Sequence, residues 1–318
     1  KAWSQSPFRK PLVLRGARQV GKTTAVKQFA VNYEQFIYLN LETDDAKSFE
    51  GERDIHKIVD RIFFLKDGEK GKADTLIFID EIQEVPSALN MLRYFYEEYP
   101  EYHVIAAGSL LESLFDRDVS FPVGRVDYLY MYPFTFGEFL EALGERNALN
   151  AYRQVPVPDY AVDKLMQLFH TYTLVGGMPE AVYRYVVTKD LSQVKPVYDS
   201  LLLSYLDDVE KYAKTTNQMQ VMRHCIRSCF AEAGERIKFA GFGESAYSSK
   251  EVGEAMRTLR KALILHLTYP TTQTMLPFTP DIKRSPRLQV LDTGMLNYFS
   301  NIQKEVFTSK DLNNLYKG

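Results

Sequence analysis

The segment Gly16-Ala17-Arg18-Gln19-Val20-Gly21-Lys22-Thr23-Thr24 decides the fold of this chain. It matches in full the pattern GxxxxGK followed by Ser or Thr. The mainly apolar residues 11–15 precede it, and residues 25–30 follow with a helical pattern. Strand, glycine-containing loop and helix form the context in which this pattern folds as a phosphate-binding loop. The segment therefore predicts an α/β fold with a polyphosphate site at the start of a helix.

The residue types of this loop suit a nucleoside triphosphate. Gly16 and Gly21 let the backbone of residues 16–24 wrap around the phosphates and turn its N–H groups inward. The helix that begins near Lys22 adds the positive end of its dipole. We expect Lys22 to contact the β- and γ-phosphates and Thr23 to ligate Mg²⁺. The loop thus predicts ATP and Mg²⁺ as ligands.

An acidic pair follows a second buried strand. Residues 76–79 are consecutive large apolar residues, and Asp80 and Glu81 come directly after them. Such a run fits a central strand of a parallel sheet, and nucleotide sites of open α/β sheets lie at the carboxyl ends of the strands. We expect Asp80 to hold Mg²⁺ and Glu81 to orient or deprotonate the attacking water.

Other classes of P-loop protein fit less well. A GTPase should carry an Asn-Lys-x-Asp motif that reads guanine, and the sequence contains none. Small-molecule P-loop kinases usually lack the adjacent acidic pair and rely on arginines in a lid. The pair Asp80-Glu81 therefore favours hydrolysis of ATP.

Composition describes an ordinary globular protein. The 318 residues carry a formal net charge of -2, so only local patches remain candidates for binding nucleic acid. No run of about 18 apolar residues predicts a membrane span, and no leader segment is recognisable. Cys225 and Cys229 lie four apart in a predicted helix, a poor geometry for a disulfide, so we expect a reduced, cytoplasmic protein. The scattered histidines predict no metal site made by protein ligands alone.

Several segments, taken in order along the chain, resemble a single family. They are GARQVGKT at 16–23, FIDEIQ at 78–83, AGS at 107–109, FPVGR at 121–125 and YPFTFGEF at 132–139. The family is the group of prokaryotic AAA-type (AAA+) P-loop ATPases that carry an uncharacterised conserved C-terminal domain. VGGMPEAV at 175–182 resembles its lid motif, and KRSPRLQVLDTG at 283–294 resembles the opening of its C-terminal domain.

The resemblance implies four successive parts. They are a P-loop NTPase core with a five-stranded parallel sheet, a helical lid, a winged-helix-like module and a fold similar to restriction endonucleases. We assign them to residues 1–150, 151–215, 216–282 and 283–318, the last being only the start of a truncated domain. Because few residues follow Asp292, we expect no nuclease activity from this chain.

The resemblance also suggests two residues that act on the γ-phosphate. In AAA+ ATPases a strand between the phosphate-loop strand and the acidic strand ends in a polar sensor, and Ser109 at the end of residues 103–109 resembles it. The other role open to Ser109 is a helix N-cap. Many AAA+ proteins carry an arginine finger just before the fifth strand, often acting on a neighbouring subunit. Arg125 is the first candidate and Arg117 the second, and a structural ion pair is equally open to either.

The pattern after residue 136 is mainly helical. Amphipathic stretches at 160–173 and 196–214 predict the lid. Helices at 217–229 and 248–262, followed by a strand at 263–268, are compatible with a winged helix. Since winged helices often bind DNA, although many serve only as protein contacts, DNA is a candidate partner of these modules.

Three functions remain open at this point. The first is an ATP-driven switch, in which Mg-dependent hydrolysis of ATP moves a lid and acts on an unidentified protein partner, with a homo-oligomer as one candidate assembly. The second is an ATP-dependent DNA-binding module with little turnover. The third is a scaffold that holds nucleotide for stability.

Overall fold

The computed structural model describes residues 2–108, 124–213 and 215–300. The chain forms two compact units, residues 1–131 and residues 132–318. The boundary between them comes earlier than the residue 150 that the sequence suggests for the end of the core. The division into four parts is finer than these two units and stays a prediction.

The first unit is built on a five-stranded parallel sheet with the order β2-β3-β4-β1-β5. Its strands are β1 (Leu12–Arg15), β2 (Gln35–Asn40), β3 (Thr75–Asp80), β4 (His103–Gly108) and β5 (Asp127–Tyr130). This confirms the predicted α/β class with a five-stranded parallel sheet. It also confirms that β4 lies between the phosphate-loop strand and the acidic strand.

Helices cover both faces of this sheet, which explains its apolar strands. They are α1 (Lys22–Ala30), α2 (Ile55–Leu65) and α3 (Pro86–Glu98). Successive strand residues point to opposite faces, so Val13 and Ile77 pack in a cluster with α2 and α3, whereas Leu14 and Phe78 pack with α1. A strand covered on both sides reads as a continuous apolar run, as β3 does between Thr75 and Asp80.

Residues 31–74 contain β2 and α2, which the sequence analysis did not single out. In α2, apolar residues recur at helical spacing at Ile55, Ile58, Val59 and Ile62, and each is no more than 3% exposed. Asp54 caps this helix, because its side chain accepts a hydrogen bond from the backbone N–H of His56. The helical period of α2 was therefore present in the sequence.

The second unit is mainly helical. Its helices are α4 (Phe136–Ala142), α5 (Arg146–Tyr152), α6 (Asp159–Val175), α7 (Pro179–Thr188), α8 (Lys195–Tyr212), α9 (Thr216–Ser228), α10 (Ser249–Lys261) and α11 (Thr293–Phe299). Strands β6 (Leu265–Thr268) and β7 (Arg287–Val290) form an antiparallel pair. The predicted helices near 160–173, 196–214, 217–229 and 248–262 are confirmed, and the winged-helix assignment of the last two stays a prediction.

A buried carboxylate joins two distant motifs of the second unit. The backbone N–H of Gly177, in the turn after α6, donates to Asp292 Oδ2 over 2.6 Å. Asp292 Oδ1 accepts from the Tyr198 hydroxyl and from the N–H of Met295, both over 2.9 Å. Burial raises the pKa of Asp292. The two motifs that the sequence analysis assigned to different domains therefore meet in one polar cluster.

The cysteines and the hydrophobicity of the helices can be compared with the expectations from the sequence. Cys225 and Cys229 are both buried as free thiols. Within the described ranges, each helix is too short or too polar to cross a lipid bilayer.

Candidate functional site

The phosphate loop connects β1 to α1 in a conformation that needs glycine. A Cβ atom on Gly16 would lie 2.5 Å from the carbonyl oxygen of Met131 and 2.9 Å from Val20 Cγ2. Gly21 has a φ of 90° and Gln19 a φ of 64°, both in the left-handed region. Ala17 and Val20 are buried, so they offer backbone rather than side-chain atoms. A loop of this shape presents successive N–H groups to one point.

Lys22 lies across this loop. It is 6% exposed, and its Nζ donates to the carbonyl oxygens of Gly16 and Ala17 over 3.0 and 2.9 Å. Burial lowers the pKa of Lys22 to about 8, while Glu81 and Asp80 act in the opposite direction. The Lys22 ammonium group therefore lies inside the loop, where it would donate hydrogen bonds to phosphate oxygens.

The predicted metal ligands are in direct contact. The Thr23 hydroxyl donates to Asp80 Oδ2 over 2.7 Å. Asp80 is 4% exposed and ends β3. The Tyr38 hydroxyl, from the adjacent strand β2, is 3.4 Å from the same oxygen. Burial, helped by Asp80, raises the pKa of Tyr38 to about 12, so this phenol is a donor at neutral pH.

These oxygens fit Mg²⁺ only together with a nucleotide. Among the residues that the structure describes, no group of three or more His, Cys, Asp and Glu side chains can hold a metal ion. Mg²⁺ is typically bound by one or two protein oxygens, and phosphate oxygens and water complete its octahedron. The Thr23 hydroxyl and the Asp80 carboxylate form such a pair of hard oxygen ligands.

Glu81 stands beside this pair in an unusual backbone conformation. Its φ and ψ of 51° and 44° are left-handed, a region that costs a residue other than glycine about 1–3 kcal/mol. Burial raises the pKa of Glu81, and the hydrogen bond from Gln83 acts against that rise. Gln83 Nε2 donates to Glu81 Oε2 over 2.6 Å. A carboxylate with a raised pKa is a stronger proton acceptor.

The structure places Arg125 away from the phosphate loop of its own chain. In the pairing of β5 with β1, Asp127 lies opposite Leu12, so Arg125 precedes the amino ends of the strands. The phosphate loop follows their carboxyl ends, roughly 13 Å away at about 3.3 Å per residue. Arg125 Nε forms a half-exposed ion pair with Glu97 Oε1 over 3.3 Å. The structural ion pair that the sequence left open is present, and a role in trans stays a prediction.

The remaining predicted residues divide into two groups. Arg18 is half-buried, and Gln19 and Thr24 are exposed. The predicted contacts of these three residues with nucleotide stay untested. Ser109 and Arg117 lie outside the described residues. Sequence reasoning missed Tyr38 and Gln83. Gln83 was within reach of it, because Gln83 follows the acidic pair by two residues.

The comparisons with known proteins agree with this architecture. Residues 8–140 match a sequence family described as an AAA domain. Residues 166–306 match one described as a domain of unknown function. The AAA-domain match spans most of the first unit, including its phosphate loop and its acidic strand, and supports a P-loop ATPase fold for that unit. None of these similarities supports the restriction-endonuclease-like fold that the resemblance implied.

One solved structure has the same fold at low identity. The chain is similar to "The walker-type atpase paby2304 of pyrococcus abyssi" with a TM-score of 0.57 and 14% identity over 93% of both chains. It is less similar to Drosophila ORC bound to DNA, with a TM-score of 0.36 and 13% identity over 98% of this chain and 93% of that one. For the Aeropyrum pernix ORC1 protein in complex with DNA, the TM-score is 0.33 and the identity is 12%, over 96% of this chain and 90% of that one. The first similarity shows the fold alone, and nothing follows from the other two. Among curated proteins, none matches the chain.

The lowered pKa of Lys22 leads to a prediction about ATP binding. Above a pH of about 8 the Lys22 amine is largely neutral in the free protein, and polyphosphate raises its pKa by attraction. Binding therefore takes up a proton, and affinity for ATP falls as pH rises beyond about 8, by up to about tenfold per unit. Below that pH Lys22 is protonated with and without ATP, so it adds no pH dependence to the affinity. Calorimetry in EDTA, in buffers of different ionisation enthalpy, measures the proton uptake at pH 8.5.

The matched control is Lys22→Arg, because an arginine stays protonated throughout this range. The variant should bind ATP without proton uptake. Equal proton uptake by the wild type and Lys22→Arg would mean that another group is responsible.

Proposed function

We propose that this protein is an Mg-dependent ATPase that hydrolyses ATP to ADP and phosphate and uses the cycle to switch a partner. The observation that carries the proposal is the 2.7 Å contact between Thr23 Oγ1 and Asp80 Oδ2. It joins the phosphate loop to the acidic strand, and Lys22 and Glu81 are the neighbours of the two residues in the sequence.

Binding of ATP uses groups that are already oriented. The N–H groups of residues 16–24 and the amino end of α1 attract the phosphates. Lys22 exchanges its two carbonyl partners for the β- and γ-phosphate oxygens. Thr23 and Asp80 would hold Mg²⁺, which would neutralise the charge that develops on the phosphate oxygens.

Hydrolysis uses Glu81 as the proton acceptor. The oxygen of a water molecule forms a bond to the γ-phosphorus, and the bond from that phosphorus to the β,γ-bridging oxygen breaks. The electron pair of the broken bond stays on ADP. The proton of the water passes to the Glu81 carboxylate and from there to the released phosphate, so the enzyme ends unchanged.

The switch itself needs a second molecule. The partner is an unidentified protein or a neighbouring copy of this chain, and Arg125 is the residue proposed to act on a neighbour's nucleotide. Its position at the amino edge of its own sheet favours action in trans over action in cis. The test of the proposal is Mg-dependent release of phosphate from ATP, wild type against Glu81→Gln. ATP that is bound without being hydrolysed would favour the scaffold.

Duplex DNA is the second candidate partner, because residues 216–300 of the second unit are basic. Residues 216–300 contain eleven Lys and Arg against seven Asp and Glu, whereas the whole chain has 39 against 41. The exposed face of the β6–β7 pair carries His266, Thr268, Arg287 and Gln289 and no acid. A face of this kind matches the phosphate backbone of nucleic acid.

Exposed cations of α10 extend this surface. Arg257 and Arg260 are exposed on α10, directly before β6. In the described part of the chain neither they nor Arg287 forms an ion pair with an acid. Their charge is therefore available to phosphate, and each phosphate contact adds about −0.9 to the slope of log K against log salt concentration.

The salt slope of DNA binding tests this candidate. Fluorescence anisotropy with a duplex in 50–200 mM NaCl should give a steep slope for the wild type. Replacement of Arg257, Arg260 and Arg287 by Ala should flatten the slope by up to about 2.7. Arg146→Ala, an exposed arginine outside this surface, is the control and should leave the slope unchanged. Equal slopes for the triple variant and the control would exclude this surface.

A further inference from the structure

A buried amide next to Glu81 has no role in the proposed chemistry so far. Gln83 lies in a short 3-10 turn, Ile82–Glu84, that follows directly after Glu81. It is 7% exposed. Its Nε2 donates to Glu81 Oε2 over 2.6 Å. The side chain is therefore confined by its surroundings, and its one described polar contact is with the predicted catalytic base.

The orientation of this amide follows from the carboxylate. An ionised carboxylate only accepts hydrogen bonds, so the NH₂ end of Gln83 must face Glu81 and its carbonyl oxygen must point away. That oxygen, Oε1, is buried and has no hydrogen-bond partner within the described residues. A buried acceptor without a partner costs about 1–3 kcal/mol.

That cost indicates a role other than stability. Stability alone would favour an apolar side chain of the same size at this position, because such a side chain leaves no buried polar atom unpaired. A glutamine here gains only one contact in return for its unpaired oxygen. The contact is with the carboxylate that the proposed function makes the proton acceptor.

We infer that Gln83 is a positioning residue for ATP hydrolysis: it fixes one oxygen of Glu81, so that Oε1 of Glu81 is left to accept the proton of the attacking water. The inference rests on the proposed function. Gln83 neither gives nor takes a proton. It acts as the third member of a series of nucleophile, base and orienting group, in which the orienting group holds the base by one hydrogen bond.

The backbone of Glu81 makes such a support necessary. Because Glu81 leaves the extended conformation of β3, the alternation of side chains along the strand does not fix the direction of its side chain. The N–H of Glu81 donates to Asp80 Oδ1 over 3.2 Å, and its carbonyl oxygen accepts from the N–H of Glu84 over 3.0 Å, so these contacts hold the backbone of Glu81 and not its carboxylate. Among the contacts of the described residues, the hydrogen bond from Gln83 is the one that holds the Glu81 carboxylate.

The first test separates positioning from shaping of the pocket. Gln83→Met keeps the volume and removes the hydrogen bond, and it should lower kcat for ATP about 10- to 100-fold. KM and the Kd for ATP should stay within about twofold, since the proposed role of the residue is to hold Glu81 and not to bind the nucleotide. Gln154→Met, an exposed glutamine of the second unit, is the control. Gln83→Asn, which keeps an amide on a shorter side chain, serves if the methionine variant does not fold.

The second test asks whether Gln83 acts through Glu81. In a background of Glu81→Gln, which lacks the base, Gln83→Met should cause no further loss of turnover, because residues that act as a unit are not additive. A loss that simply adds to that of Glu81→Gln would overturn the inference. Unchanged kcat in Gln83→Met, or a raised one, would overturn it too.

Failure of the proposed function has a different signature. A wild type without Mg-dependent phosphate release removes the proposed function and the inference together. A wild type that hydrolyses ATP, with Gln83→Met equal to it, removes the inference alone.

Discussion

Replacement of Glu81 by Gln should lower the turnover of ATP by about 10²- to 10⁴-fold. The amide is nearly the same size as the carboxylate and is a far weaker proton acceptor. Lys22, Thr23 and Asp80 stay in place, so ATP should bind with unchanged affinity. The measurement is steady-state phosphate release with Mg²⁺, paired with calorimetric titration of ATP, for both proteins and with and without duplex DNA.

The matched control is Glu84→Gln, an exposed acid in the same short turn, which should hydrolyse ATP at the wild-type rate. Equal turnover in the wild type and Glu81→Gln would exclude Glu81 as the base. If neither releases phosphate while both bind ATP, the protein is better described as a nucleotide-held scaffold. Stimulation of the wild type by DNA would indicate that DNA is the partner.

Gly176→Ala should destabilise the second unit by about 4 kcal/mol. Gly176 has a φ of 77° and a ψ of -173°, a region populated essentially by glycine alone. A Cβ atom there would lie 2.2 Å from Asp292 Oδ1 and 2.4 Å from the Tyr198 hydroxyl. The alanine would therefore strain the backbone and break the polar cluster around Asp292.

Thermal unfolding of the full chain measures this loss. For a unit of this size, about 4 kcal/mol corresponds to a fall in midpoint of roughly 8–16 °C. The control is Gly241→Ala, whose φ is 70° and whose Cβ would meet nothing within 4 Å. That variant carries backbone strain alone, about 1 kcal/mol, and should lose roughly 2–4 °C. Equal losses in the two variants would show that the contacts of Gly176 contribute nothing.

The sequence predicted the part of the site that depends on local order along the chain. In the phosphate loop, the glycines and Lys22 belong to one continuous segment, so strand, loop and helix follow from spacing alone. The apolar run of β3 predicted its burial on both faces, and hence the place of Asp80 at the carboxyl edge of the sheet. The prediction from the sequence was weakest for residues 31–74, where neither β2 nor α2 was recognised.

Other features depend on parts of the chain that are distant in sequence. Tyr38 reaches Asp80 only because β2 pairs with β3, in a register that places Asn40 beside Asp80. Arg125 was a candidate on the basis of its position in the sequence, and the direction of β5 places it at the opposite edge of the sheet.

What the sequence by itself determined is a phosphate-binding α/β domain with an acidic pair at a strand end, because each of these is encoded by neighbouring residues. Only the tertiary structure decided which side chains support that pair, and that Asp292 holds a turn 115 residues earlier in the chain. The physical reason is that a buried polar group requires a partner, and folding can bring that partner from any distance along the chain.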